Sequence, residues 1–308
     1  MANSNTTQHR GWGGAWTEEK LDCFQKYVKA YLTIMNTYRE QFQWKLVYFD
    51  GFAGCGTREQ LMVEDEKATT LFGEELEAEE LHPYQGAAER VVQIEQQMRG
   101  FDEYLFIDKY EENLTNLEFK LAEYQTKGKK KFMPGDANDE VLNLGRELRK
   151  HPKTKVLCLL DPFGMSIKWD SIVALAGKGV DLWILVPTGS IVSRLIQNNG
   201  ELRYPEKLEE FFGLPAQYIY DRFYEKKEVA SNLFESAHEE VHKVKNIIGE
   251  IDQLYREQLG TLFPYVTPEP LVMRNSRGLP IFHFVCASHN ETAVKIAQQI
   301  IKKSKQKK

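Results

Sequence analysis

Four acidic positions, far apart in the chain, carry most of the chemistry that this sequence can offer. Asp50 opens the stretch Asp50-Gly51-Phe52-Ala53-Gly54-Cys55-Gly56, directly after the β-type run Lys45 to Phe49. Glycines at 51, 54 and 56 let a backbone turn sharply and approach a ligand without Cβ clashes. A carboxylate at the end of such a strand accepts hydrogen bonds from a cationic amine. Asp108 ends a second β-type run, Tyr104 to Ile107, where a carboxylate can take both hydroxyls of a ribose. The interval from Asp50 far exceeds the ~20 residues of a dinucleotide site, so an extra helix must lie between them. Asp136 and Asn138 follow a third run and can meet the amino edge of an adenine. Asp161-Pro162-Phe163-Gly164 closes the most apolar run, Val156 to Leu160. There Asp161 can bind a substrate amine or act as a base, Pro162 fixes the turn, and Phe163 can stack on a planar target. Each acid also has a structural alternative: Asp108, Asp136 and Asn138 as helix caps, and Asp161-Pro162-Phe163-Gly164 as a plain turn.

Weaker candidates stand beside these. Gly86, after Tyr84-Gln85, either lies against a ligand or starts a helix. Trp169 either lines the same pocket or packs, and packing is the commoner fate of an isolated Trp. His283 and His289 flank the last strand-like run and read as core and surface histidines. His238 and His242 are four residues apart on an expected helix, but no further ligands accompany them, so no metal site is expected.

The elements that must position these residues can be read from periodicity. Leu21, Phe24, Val28, Tyr31, Met35 and Tyr38 recur at helical steps from an N-cap at Thr17. Residues 57–82 are acidic and weakly patterned, and Gln85 to Met98 is helical. Strand-like runs then alternate with helices near 110–125 and around Val141, Leu144 and Leu148, and Leu182 to Val186 forms another run. About five such units between 45 and 190 predict a parallel sheet with helical crossovers, in which ligands bind at the strands' carboxyl ends. From Phe234 to Leu259 a stripe of apolar residues predicts a long helix. Residues 262–287 predict two strands around Arg274 to Pro280, and a short helix follows near 291–302. The expected organisation is a loose lead-in over 1–15, a core over 16–190, a helical insertion over 191–260, C-terminal strands and a helix over 261–300, and a basic tail over 301–308.

Composition bounds the answer. The chain has 308 residues with 42% hydrophobic and 28% charged, an ordinary globular balance. Its formal net charge of -5 means that any polyanion site must be local. Four cysteines at 23, 55, 158 and 286 lack metal-ligand or redox spacing and predict reduced thiols. The start is polar, without the apolar stretch of a secretory signal, and no run approaches a membrane span. A cytoplasmic location is expected.

The segments Trp16 to Leu21, Tyr48 to Gly54, Phe106 to Lys109, Gly135 to Asn138, Asp161 to Gly164 and Cys286 to Asn290 together resemble the three-Cys-motif partner protein family, over about residues 16 to 300. The resemblance implies a class I methyltransferase-like fold: a Rossmann-like, doubly wound, mostly parallel seven-stranded sheet ending in an antiparallel strand. It also implies S-adenosyl-L-methionine (SAM) as cofactor, held by Asp50, Gly51, Phe52, Gly54, Gly56, Gly86, Asp108, Asp136 and Asn138, with Asp161, Pro162 and Phe163 in the catalytic position. It implies a partner with three clustered cysteines, an iron–sulfur or radical-SAM-like protein, and nucleic acid or a modified nucleotide as substrate. Two departures stand out. Phe163 follows a single proline where base amino-methyltransferases carry two, and Ala87 and Ala88 follow Gly86 in place of a Gly-Ser-Pro-like turn. Two other functions fit the same residues: a non-catalytic SAM- or nucleotide-binding subunit, and a Mg²⁺-dependent nuclease built on the four acids.

Overall fold

The computed structural model describes residues 14–55, 86–162, 164–177, 179–229, 238–275 and 277–305. Helix α1 (Gly14–Phe42) leads into strand β1 (Lys45–Asp50). After the span outside the described residues come α2 (Ala87–Ile94), β2 (Glu103–Asp108), α3 (Glu111–Leu121), β3 (Lys129–Pro134), α4 (Ala137–Lys150), β4 (Thr154–Leu160), α5 (Trp169–Ala174) and β5 (Val180–Val186). The five strands align in parallel in the order β3-β2-β1-β4-β5, the doubly wound order. Their apolar runs are continuous because both faces are covered. Val156, Cys158 and Leu160 of β4 face one cluster with α4 and α5, while Leu157 and Leu159 face another with α1, α2 and α3.

Beyond β5 the chain turns through a five-residue π-helical segment, Thr188–Val192, and a short α6 (Ser193–Leu195). Gly189 is required here: a Cβ on it would stand 2.2 Å from the Pro280 carbonyl oxygen, so two backbones meet without room for a side chain. Then follow α7 (Pro205–Phe212), α8 (Ala216–Phe223), β6 (Tyr224–Val229), β7 (His238–Lys243), α9 (Ile247–Leu262), β8 (Tyr265–Val266), β9 (Leu271–Arg274), β10 (Pro280–Ser288) and α10 (Glu291–Lys305). Strand β10 lies antiparallel between β5 and an outer strand made of two pieces, β8 and β9. Pro268 and Pro270 separate the pieces, since neither can donate to a ladder. The sheet therefore has seven positions, the last shared by β8 and β9, and the fold is the Rossmann-like methyltransferase type.

Several expectations change. Helix α1 begins at Gly14, so Thr17 is an interior residue, buried under its own stripe, and not the N-cap. The stripe expected as one helix from Phe234 to Leu259 is broken: His238 to Lys243 pairs with Tyr224 to Val229 in a two-stranded ribbon, and only Ile247–Leu262 is helical. His238 and His242 thus lie on a strand, and the insertion over 191–260 is helices plus a hairpin. Phe234 lies outside the described residues. On α9, Ile251, Leu254, Tyr255 and Leu259 are buried in the chain's own core, so this stripe is not held open for a partner. The expected tail is α10's last turn through Lys305, where Lys302 and Lys305 approach Glu269 at 3.7 and 3.5 Å. Cations at a helix C-terminus are favoured by its dipole. No helix among the described residues is long and apolar enough to cross a membrane.

Candidate functional site

The four acids line up along one rim. Asp136 follows β3, Asp108 ends β2, Asp50 ends β1 and Asp161 follows β4, so they stand at the carboxyl ends of four adjacent parallel strands. Backbone bonds knit the rim: the Gly51 N–H donates to the Leu159 carbonyl at 3.0 Å, Ala53 to Ile107 at 2.8 Å, and Gly135 to Asp108 at 3.0 Å.

Asp50 is 1% exposed. It accepts from the Tyr48 hydroxyl at 2.9 Å and from the Phe52 N–H at 3.3 Å. Burial pushes its carboxyl up from 3.8 to about 7, against the Tyr48 and Phe52 hydrogen bonds, with Asp161 adding to the rise and Lys20 opposing it. A half-neutralised buried carboxyl is a receptor for a cation, because an arriving positive charge compensates the desolvated anion. The chemistry of the rim thus fits an adenosyl sulfonium carrying an ammonium group.

Gly51 sits where a Cβ would stand 2.7 Å from the Leu160 Cδ2 atom. Gly54 adopts φ +61 with open space around it, so its glycine is a conformational need. Gly54→Ala is expected to cost about 1–2 kcal/mol in urea unfolding, the price of a left-handed non-glycine residue; an unchanged midpoint would contradict that backbone. The Gly54 N–H donates to Asp108 Oδ2 at 3.1 Å, while Asp108 Oδ1 accepts from the Tyr110 N–H and the Asn113 amide, both at 2.9 Å. Asp108 therefore couples the first turn to the start of α3 and is only partly buried at the rim.

Asp136 caps α4, accepting from the Asn138 N–H at 2.7 Å, and is exposed. Asn138 bonds locally. Its amide donates to the Ser166 carbonyl, and its oxygen accepts from the Lys168 N–H and the Ser171 hydroxyl, all at 2.9 Å. It staples the loop after β4 to α4, which leaves one hydrogen of its amide uncommitted in these bonds. Gly86 is the extended residue before α2, and Phe52 packs its ring against the core face that carries α4. Gly56 and Phe163 lie outside the described residues. Pro162 is buried, and Gly164 at φ +67 completes the turn against Ile191 of the π-helical segment.

Asp161 holds the finding that sequence reasoning missed. Its carboxylate pairs with Lys20 Nζ from α1, and the lysine side chain is only 8% exposed. Trp16, one turn earlier, stacks on Phe282, and Arg90 of α2 pairs with Glu18 and Asp22. These contacts fix the first turns of α1 over the β1 and β4 ends. The signal was present: Lys20 falls four residues before Phe24 and seven before Tyr27, on the apolar stripe, where a lysine needs an acid. Trp169 packs edge-on against Tyr255 at 5.8 Å and lines no rim. His283 is buried with Nδ1 2.6 Å from the Thr188 hydroxyl, and His289 lies against Phe263. The four cysteines are buried and form no disulfide with one another. Among the described residues, no group of three His, Cys, Asp or Glu side chains converges to hold a metal ion.

No protein-family model matches this chain, and no curated protein does. A Legionella pneumophila protein of the DUF519 family is similar at 16% identity, with a TM-score of 0.40, covering 82% of this chain and 94% of that one. A SAM-dependent methyltransferase from Clostridium acetobutylicum is similar at 11% identity, with a TM-score of 0.34, covering 88% of this chain and 92% of that one. Likenesses this distant say nothing about the site. Strand order defines the fold class alone: a Rossmann-like α/β sheet of the methyltransferase type.

Proposed function

We propose that the chain binds SAM along this rim and transfers its methyl group to a nitrogen of a nucleic acid or modified nucleotide. The observation that carries the reading is the row Asp136, Asp108, Asp50, Asp161 across β3-β2-β1-β4. In this arrangement Asp108 takes the ribose hydroxyls and Asp136 the adenine amino edge. The backbone of Gly51 and Gly54 lies along the methionine part, whose ammonium faces Asp50. SAM supplies an electrophilic methyl carbon. Asp161 accepts an N–H of the acceptor, aims its lone pair and receives its proton. The sequence resemblance adds the proposal that the chain works beside a protein with three clustered cysteines, and α10's terminal lysines add local positive charge toward nucleic acid.

One observation favours the non-catalytic alternative, a SAM-binding subunit: Asp161 is already paired with Lys20. Labelled methyl transfer decides between them. Asp161→Ala is expected to keep SAM affinity and to lower transfer by at least about a hundredfold, as loss of a general base does. Undiminished transfer in the variant would remove Asp161 from the chemistry, and absence of transfer to nucleic acid, with the cysteine-rich partner present, would establish the binder.

A further inference from the structure

The Lys20–Asp161 pair sets an amine directly on the carboxylate proposed as the base. If Asp161 receives the acceptor's proton, the acceptor nitrogen must be held on that carboxylate and positioned for attack. Lys20 Nζ lies on Asp161 in the resting chain, and its side chain is 8% exposed. Lys20 Nζ also stands 5.9 Å from the centroid of the Trp16 ring, and its neighbours on the stripe are Phe24, Tyr27 and Tyr31.

Resting on the proposed SAM site, we infer that Lys20 is an internal methyl acceptor, so that the chain methylates its own Nζ from SAM on the carboxylate of Asp161. Lys20 gives one proton to Asp161 Oδ2, which passes it to solvent. The freed lone pair forms the new C–N bond, the carbon–sulfur bond breaks with its electrons remaining on sulfur, and the neutral thioether S-adenosylhomocysteine leaves. The positive charge moves from sulfur to the lysine nitrogen, where Asp161 faces it.

The test takes the full chain, purified and incubated with SAM carrying a ¹³C-methyl group, followed by peptide mapping. The expected result is label on Lys20 with at least tenfold less on Lys26, Lys29 and Lys45 of the same or adjacent segments. In Asp161→Asn the label on Lys20 should fall at least tenfold. Affinity for S-adenosylhomocysteine, measured by calorimetry, should stay within threefold in Asp161→Asn and in Lys20→Gln. Formaldehyde and borohydride applied to the chain without SAM should modify the exposed lysines and spare Lys20, which excludes simple reactivity as the source of label. Micromolar binding of S-adenosylhomocysteine with no label on Lys20, or label spread evenly over lysines, would overturn the inference and leave the cofactor site standing. Failure to bind SAM or S-adenosylhomocysteine would instead remove the proposed function and the inference with it.

Discussion

Asp50→Asn is expected to stabilise the chain by about 4 kcal/mol at pH 8 and by less than about 1 kcal/mol at pH 4. The carboxyl titrates near 3.8 when exposed and at about 7 in the fold, chiefly because burial penalises its charge. Between those values the folded chain binds a proton that the unfolded chain has released, so stability is greatest below 3.8, falls as pH rises through about 7, and is level above it. Asparagine keeps the shape and can accept from Tyr48, but never carries the charge. Urea unfolding of both proteins from pH 4 to 8 measures the divergence directly. A gap of equal size at both ends would mean that the carboxyl is not desolvated as the structure has it. The same substitution is expected to weaken binding of the cationic cofactor, so stability and affinity move in opposite directions, as at sites that retain a costly group for function.

The second large effect concerns Asp108. If its carboxylate takes the two ribose hydroxyls, Asp108→Ala removes two charge-assisted hydrogen bonds, each worth about 1.5–3 kcal/mol, and SAM affinity should fall by at least a hundredfold. Part of any loss could arise from the turn, because Asp108 also holds the Gly54 and Tyr110 N–H groups. Asn113→Ala separates the two: it removes one donor to the carboxylate at 2.9 Å and leaves the oxygens in place. Calorimetry should show less than a tenfold loss for Asn113→Ala. Equal losses in both variants would assign Asp108 to scaffolding alone.

Much of this was legible in the sequence, because the central strands are covered on both faces. Val156 to Leu160 and Leu182 to Val186 are continuous apolar runs with polar punctuation at one end, and that punctuation is the rim. What was not legible depended on partners distant in sequence. Lys20 reads as an ordinary helix residue until Asp161, 141 positions later, is placed against it. Asn138 has the composition of a binding residue, and only the return of the loop at Ser166 and Lys168 shows that it ties that loop to α4. The region before Leu259 misled because Val241 and Val244 continue α9's helical spacing by coincidence. The register of His238 to Lys243 against Tyr224 to Val229 overrode that local pattern. The fold implied by the short-segment resemblance is the one observed.

The margins of the sheet carry a last implication. On one side β3 presents Lys129 and Lys131 to solvent, while Lys130 turns back to the carbonyls of Leu121 and Tyr124 at 2.6 and 2.8 Å. On the other side prolines cut the outermost strand into two short lengths. A visiting strand would meet charged side chains at the first border and a ladder interrupted by two prolines at the second. Both borders of the main sheet are therefore poor templates for a strand of a second copy.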